Sequence, residues 1–250
     1  MARAAVRGRL TWLAAEVISV VQETRNVHSI GLHVPGWTGH LPGQHVDVRL
    51  TAEDGYQAQR SYSIATPAAG EEITITVELV DGGEVSSYLV GDLRVGDRFE
   101  LRGPIGGYFV WEPARGGPLQ LIAGGSGIVP LMAMTRALAR ADHEIPARLL
   151  VSARSWDDAI YRAELAQLAE ALPGLEIRHT LTRARPPEWT GYARRVDRAM
   201  LEEATWPSAR QPMIYVCGPT GFVEAVATTM IELGNEPGRI KTERFGPTGG

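Results

Sequence analysis

The chain has 250 residues, of which 44% are hydrophobic and 22% are charged, and its formal net charge is -4. This composition is typical of a globular protein long enough for two domains, and it gives no sign of nucleic-acid binding. The single cysteine, Cys217, excludes from these residues an internal disulfide, a four-thiolate iron–sulfur cluster and a cysteine-rich zinc site.

The N-terminal stretch contains several arginines but no continuous apolar core and no cleavage pattern, so it does not read as a signal peptide. No stretch approaches the 18 or so consecutive apolar residues that a membrane span needs. We therefore expect a soluble, cytoplasmic protein with no membrane partner. The histidines show no metal-ligand spacing, and no metal site is predicted.

The first half of the chain, from about residue 10 to 111, alternates with period two. Val46, Val48 and Leu50 alternate with polar residues, and residues 73–77 repeat the pattern. Turn clusters rich in proline, glycine and aspartate separate these segments at short spacing. The pattern predicts short antiparallel strands in a barrel or sandwich, with one brief helix over 85–93.

The second half begins after a loop at residues 112–118, and in it short apolar strands alternate with longer helical segments. Apolar strands are predicted at 119–123, 148–152, 176–181 and 213–217. Helices over about 128–141, 157–171 and 220–233 alternate with them. This alternation predicts a parallel sheet with covering helices, and hence two domains, residues 1–112 and 118–250.

A glycine cluster follows the first strand of the second half. The segment reads GGSGIVP over residues 124–130 and leads into a helix. Glycines allow a phosphate to approach the backbone closely, and a helix N-terminus offers free N–H groups, which makes Gly125, Ser126 and Gly127 candidate contacts. The spacing differs from the usual GxGxxG fingerprint, and the alternative is an ordinary glycine-rich turn.

A second candidate segment lies in the first half and reads Arg60-Ser61-Tyr62-Ser63. A guanidinium suits a phosphate, an aromatic ring suits a flat cofactor ring, and a hydroxyl suits a ring heteroatom. Period two places Arg60 and Tyr62 on one face of the strand and Ser63 on the other, unless the strand bends there. Taken alone, such a tetrapeptide is common in strands.

Five motifs occur in one order along the chain: RSYS at 60–63, GGEVSSYL at 82–89, GGSGIVP at 124–130, YVCGP at 215–219 and ERF at 243–245. In this combination the chain resembles the ferredoxin–NADP reductase superfamily. The resemblance implies a Greek-key antiparallel β-barrel that binds FAD, followed by a Rossmann-like α/β domain that binds NAD(P)H. It also implies an FAD-dependent NAD(P)H oxidoreductase that passes electrons to a separate acceptor, such as ferredoxin or an oxygenase partner.

The resemblance assigns flavin contacts in the first half. Arg60 pairs with the flavin phosphate, Tyr62 stacks along the isoalloxazine, and Ser63 hydrogen-bonds near N5, with Ser61 in the same cofactor-binding segment. The backbone N–H groups and hydroxyl of the next motif hold the pyrophosphate, which implicates Gly83, Glu84, Val85 and Ser86. The alternative for the serine of that motif is an ordinary helix cap.

The resemblance also assigns residues at the end of the chain. Cys217 lies beside nicotinamide C4, and Gly218 and Pro219 after it are cofactor-binding candidates; the alternative for Cys217 is a small core residue. The sequence shows no histidine near Cys217 that would activate the thiol as a covalent nucleophile. Glu243 stabilises charge or relays protons, and Phe245 covers the flavin face. In plant-type members this aromatic is the last residue, whereas five residues follow it here.

The choice of dinucleotide depends on residues just past the second α/β strand. Ser152 and Arg154 suit a 2′-phosphate, with Arg162 assisting, so NADPH is predicted over NADH. Arg162 could instead form an i,i+4 ion pair with Asp158, and Thr182 is a candidate pyrophosphate contact. Two other functions stay open: a free flavin or ferric reductase, and a flavin-binding electron-transfer subunit with little activity alone.

Overall fold

The structure is a computed structural model that describes residues 10–142 and 144–246. The expectations for the first nine residues, for His143 and for the tail after Gly246 therefore fall outside the described residues. In the described part, no helix is both long enough and apolar enough to cross a membrane.

Six antiparallel strands make up the first half: β1 (Leu13–Thr24), β2 (Val27–His33), β3 (His45–Thr51), β4 (Gln57–Ser63), β5 (Glu72–Glu78) and β6 (Arg98–Ile105). Their order in the sheet is β4-β3-β6-β1-β2-β5. An antiparallel bridge between Ile64 and Ile75 joins the two outer strands, and the N–H of Ala65 donates to the carbonyl of Thr74 at 2.7 Å. The sheet thus closes on itself, and the predicted antiparallel barrel is confirmed.

Period-two alternation fills the barrel with apolar side chains. Val46 and Val48 of β3 are fully buried, as are Leu101 of β6 and Ile30 of β2. A short helix, α1 (Glu84–Ser87), continues into a π-helical turn and buries Leu89 against this core. The brief helix predicted over 85–93 is therefore present.

Five parallel strands form the second sheet: β7 (Leu119–Gly124), β8 (Ala147–Ala153), β9 (Leu175–Leu181), β10 (Met213–Pro219) and β11 (Ile240–Phe245). Their order is β11-β10-β7-β8-β9, with helices α2 (Ile128–Leu138), α3 (Arg162–Ala171), α4 (Arg198–Ala204) and α5 (Thr220–Glu232). The predicted parallel α/β domain is confirmed. The strand order reverses between β7 and β10, the position where open α/β sheets bind ligands.

The structure differs from the sequence-based elements in three places. Strand β11 and helix α4 were not predicted, because β11 carries charged and polar residues in its middle and α4 spans only two turns. Helix α3 begins at Arg162 rather than at 157. A turn precedes it in which Ser155 and Asp158 bond to each other, and Tyr161 adopts a left-handed φ of 59°.

The two domains pack directly on each other. Phe109 and Trp111, from the segment between β6 and β7, are buried in the core of the α/β domain. Val27 and Ala65 of the barrel belong to the same cluster. Apolar contact therefore fixes the barrel against the carboxyl ends of the parallel strands.

Candidate active site

The switch point of the parallel sheet places two predicted residues side by side. Cys217 in β10 is paired in register with Ala123 in β7 and with Glu243 in β11. Residues paired in register on neighbouring parallel strands share a face of the sheet. Cys217 is only 2% exposed, so its thiol is not open to bulk solvent.

The barrel presents the edge of its β3–β4 hairpin to this point. Ser63 is paired with His45, and Ser61 is paired with Asp47. Between the hairpin and the parallel sheet lies a cavity of about 350 Å³, which we call the ring cavity. It is lined by His45, Ser61, Ser63, Cys217, Glu243, Arg244 and Phe245. Five predicted residues from distant segments therefore meet in one place: Ser61, Ser63, Cys217, Glu243 and Phe245.

Burial controls the protonation of the acidic groups in the ring cavity. Desolvation raises the pKa of Glu243 to about 7. Its Oε2 is buried and has no hydrogen-bond partner among the described residues, whereas Oε1 lies 3.9 Å from Nδ1 of His45. Desolvation, and secondarily the charge of Glu243, raises the pKa of the Cys217 thiol well above its usual range, so the thiol stays protonated.

Sequence reasoning missed His45 and Asp47. Burial lowers the pKa of His45, and the negative charge of the nearby Asp47 opposes this shift only in part. Asp47 accepts a 2.6 Å hydrogen bond from the Ser61 hydroxyl and forms a 2.9 Å ion pair with Arg102. The alternation of β3 was the available signal, because it places residues 45 and 47 on the polar face opposite the serines of β4.

A second cavity of about 260 Å³, the interdomain cleft, lies beside the first. It contains predicted nucleotide contacts at the carboxyl ends of the strands: Gly125, Ser126, Ser152, Arg154, Thr182, Pro219 and Phe245. The barrel closes the other wall with Glu78 and the β1–β2 turn, and Asp158 and Ile160 complete the α/β side. Phe245 lines both cavities, so its ring stands where they adjoin.

Two of the predicted glycines act in packing rather than in lining a cavity. A Cβ on Gly127 would lie 2.2 Å from the carbonyl oxygen of Cys217, and a Cβ on Gly218 would lie 2.8 Å from the ring of Phe222. Gly125, by contrast, has a φ of 56°, and no atom lies within 4 Å of the position that a Cβ would take. This open space leaves room for a ligand to approach the backbone.

The predicted flavin-phosphate residues lie along β4 and α1. Arg60 is exposed, and its Nη1 bonds only the adjacent Gln59 carbonyl at 2.6 Å among the described residues. Glu84 is exposed at the start of α1, with Val85 buried behind it. Gly83 is the N-cap, which corrects the alternative of a serine cap. Ser86 instead bonds within the turn, to the N–H of Val80 and the carbonyl of Gly83.

Tyr62 and Arg162 lie away from both cavities. Tyr62 is half-buried against the barrel core, and burial raises its pKa to about 12; its stacking on a flavin stays a prediction. Arg162 is exposed and pairs with Asp157 at 3.2 Å. The i,i+4 pair with Asp158 was wrong because α3 begins at Arg162, which leaves Asp158 in the preceding turn with Ser155.

A two-domain flavin and nicotinamide oxidoreductase is the class that this fold and site define, and known proteins agree with it. Residues 14–110 match the oxidoreductase FAD-binding domain family, and residues 121–228 match the oxidoreductase NAD-binding domain family. The crystal structure of a cytochrome P450 reductase from Amycolatopsis superposes with a TM-score of 0.81 at 31% identity, covering 98% of this chain and 74% of that one. The chain belongs to the ferredoxin–NADP reductase-like family of FAD- and NAD(P)-binding oxidoreductases.

Other relatives come from oxygenase systems. The reductase subunit of glycine betaine monooxygenase from Pseudomonas aeruginosa is 32% identical over 240 residues, which cover 92% of this chain. The electron transfer component of toluate 1,2-dioxygenase from Pseudomonas putida is 29% identical over 205 residues. The chain spans 63% of the length of the first relative and 58% of the second.

Proposed function

We propose that this flavin-dependent NAD(P)H oxidoreductase binds FAD, oxidises NADPH and passes the electrons to a separate redox protein of an oxygenase system. The observation that carries the proposal is the ring cavity, where the serine edge of the barrel faces Cys217 and Glu243 across the domain boundary. A bound flavin would supply the chemistry, accepting a hydride and returning electrons singly or in pairs.

The residues present fit a flavin at this position. The unpartnered Oε2 of Glu243 is a buried polar atom that a polar ring edge in the ring cavity would satisfy. Ser63 offers a hydroxyl on the opposite wall, and the exposed guanidinium of Arg60 lies three residues along the same strand. Glu84 and Val85 open a helix whose first N–H groups are free for a phosphate. The pyrophosphate-binding segment that the resemblance implies at residues 83–86 supports FAD over FMN.

The chain's own groups do three things in this scheme. Cys217 holds an uncharged, buried surface against which a nicotinamide ring can lie, since its thiol stays protonated. Glu243 has a pKa of about 7, so it can hold or release a proton at its carboxylate near neutral pH. Phe245 separates the interdomain cleft from the ring cavity, and a nicotinamide reaching the latter must displace it.

Arg154 supports NADPH as the reductant. It lines the interdomain cleft, is exposed, and its guanidinium has no ion-pair partner in the described part of the chain, which suits a 2′-phosphate. NADH is the second candidate, because Asp158 lines the same cleft and a carboxylate suits a free 2′-hydroxyl.

The decisive experiment is an anaerobic titration of the flavin-loaded protein with NADPH and with NADH, followed by a screen of acceptors. We expect flavin bleaching with NADPH at the lower concentration. Arg154→Ala should raise KM for NADPH about tenfold or more and leave KM for NADH nearly unchanged. Arg140→Ala, an exposed arginine just past the far end of α2, is the matched control and should change neither KM.

The outcomes separate the alternatives. Protein that binds no flavin refutes the proposal, and equal effects of Arg154→Ala on both dinucleotides refute the 2′-phosphate assignment. Rapid turnover with free FMN or ferric chelates would identify a flavin or ferric reductase. Bound flavin with negligible oxidation of either dinucleotide until a partner protein is added would identify an electron-transfer subunit.

A further inference from the structure

One buried tyrosine connects the two domains beside the interdomain cleft. Tyr161 immediately precedes α3, is 3% exposed and adopts a φ of 59°, a conformation that residues other than glycine rarely occupy. Its hydroxyl donates to Oγ1 of Thr76 in β5 of the barrel. The backbone of the α/β domain is thus held in an unusual conformation at the residue whose side chain reaches the other domain.

The hydrogen bond from Tyr161 is the first of three in a row. Oγ1 of Thr76 lies 2.9 Å from Oγ of Ser29, and the Ser29 hydroxyl donates to Oε1 of Glu23 at 2.7 Å. Each hydroxyl has a single proton to donate. Because Ser29 gives its proton to Glu23, Thr76 must donate to Ser29. All three bonds therefore run from Tyr161 toward a carboxylate, and each polarises the next.

This hydrogen-bond chain lies directly behind the walls of the interdomain cleft. Ile160, which precedes Tyr161, lines the cleft on the α/β side, and Glu78, two residues beyond Thr76, lines it on the barrel side. The β1–β2 turn connects Glu23 to Ser29 and supplies three further lining residues: Thr24, Asn26 and Val27. The Tyr161 end of the hydrogen-bond chain is thus attached to the α/β wall of the interdomain cleft, and the Glu23 end is attached to the barrel wall.

Arg136 of α2 fixes the tyrosine ring. Its guanidinium carbon lies 5.0 Å from the centre of the Tyr161 ring, and it pairs with Glu164 through bonds of 2.7 and 2.6 Å. The same side chain donates to the carbonyl of Ala65 in the barrel at 2.8 Å. Burial raises the pKa of Tyr161 to about 12, so the hydroxyl remains a donor at neutral pH.

We propose that the Tyr161 hydroxyl is a positioning group that sets the width of the interdomain cleft, and through it the approach of nicotinamide to the ring cavity. The inference rests on the proposed function, since it concerns the reductive step of that reaction. Tyr161 does not line either cavity. Its effect passes through Thr76 to β5 and the β1–β2 turn, and it concerns the orientation of bound dinucleotide rather than its affinity.

The test compares Tyr161→Phe, Thr76→Val and the double variant in the flavin-loaded protein. Each substitution removes one hydroxyl and keeps the shape of the side chain. In anaerobic stopped flow we expect each single variant to reduce flavin about five- to tenfold more slowly, with Kd for the dinucleotide within about twofold of wild type. The long-wavelength charge-transfer absorbance of the complex should fall in parallel. The double variant should be no slower than the slower single variant.

Tyr192→Phe is the matched control. Its hydroxyl accepts a 3.1 Å bond from Arg178 within the α/β domain and has no hydrogen bond to the described residues of the barrel. A role confined to stability would lower Tm and leave the charge-transfer band and the reduction rate of the folded protein unchanged. That result would overturn the inference. So would additive losses of reduction rate in the double variant, or an equal loss of reduction rate in Tyr192→Phe. A wild-type flavin that neither dinucleotide reduces would instead overturn the proposed function and the inference with it.

Discussion

Substituting Gly127 by alanine tests whether the close approach of α2 to β10 builds the site. The new Cβ would lie 2.2 Å from the Cys217 carbonyl oxygen, 2.4 Å from its carbonyl carbon and 2.7 Å from the Gly218 nitrogen. All three atoms belong to the backbone, which cannot swing aside as a side chain can. The strand end must move by about 0.8 Å before the Cβ–oxygen contact reaches even 3.0 Å, and overpacking of this kind typically costs about 1–3 kcal/mol.

The backbone conformation of Gly127 makes the interpretation of this variant simple. Its φ is -60° and its ψ is -10°, which alanine adopts without strain, so any loss comes from the steric contact. We expect a lower free energy of unfolding in urea by about 1–3 kcal/mol. We also expect flavin reduction to slow about tenfold or more, because the displaced strand carries Cys217.

Gly221→Ala is the matched control for this prediction. Gly221 lies in the first turn of α5, and a Cβ there would meet no atom within 4 Å. Alanine favours a helix over glycine, so the control should be neutral or stabilising by up to about 1 kcal/mol. If Gly127→Ala unfolds like wild type and reduces flavin at the wild-type rate, then the contact between α2 and β10 does not position the site.

Two further predictions concern the ring cavity itself. Cys217→Ala should bind flavin normally and show at least about a tenfold slower reduction in stopped flow; a wild-type rate would make Cys217 a core residue only. Glu243→Gln should flatten the pH dependence of stability. Burial raises the pKa of this carboxyl from 4.5 to about 7, so its contribution to stability is complete below pH 4.5 and is lost as pH rises through 7. Between pH 5 and pH 8, the free energy of unfolding in urea should therefore fall by at most about 3 kcal/mol more in wild type than in the variant. An equal pH dependence in the two proteins would refute the raised pKa.

The periodicity of the sequence predicts most of the fold because most of its elements bury one face. Val46 and Val48 alternate with polar residues, and the barrel buries them as expected. Strand β11 has no such pattern: it lies at the edge of the parallel sheet, and residues 241–244 are polar or charged. Its place is set by pairing with β10, a long-range contact that no local signal records.

The resemblance to a family, rather than any local pattern, made Glu243 and the role of Cys217 part of the predicted site, whereas Ser63 was already a candidate from its own segment. Cys217 and Glu243 lie on neighbouring strands of the parallel sheet, whereas Ser63 lies in the barrel, and only the packing of the barrel on the carboxyl ends of β10 and β11 brings all three together. Asp158 and Glu78 lay beyond this reasoning because they belong to no motif. His45 was within reach, since the alternation of β3 pairs it with Ser63.

The two cavities and the hydrogen-bond chain impose different constraints on the same substrate. Phe245 lines both the cleft that contains Arg154 and the cavity that contains Cys217. Under the proposed function, a dinucleotide anchored at Arg154 reaches the flavin position only by moving that ring. The positioning role proposed for Tyr161 passes instead through its hydrogen bond to Thr76 in the barrel. Taken together, the two proposals assign access to the flavin and alignment at the flavin to separate residues. A substitution of Phe245 should change how readily nicotinamide enters, whereas one at Tyr161 should change how well it is oriented once there.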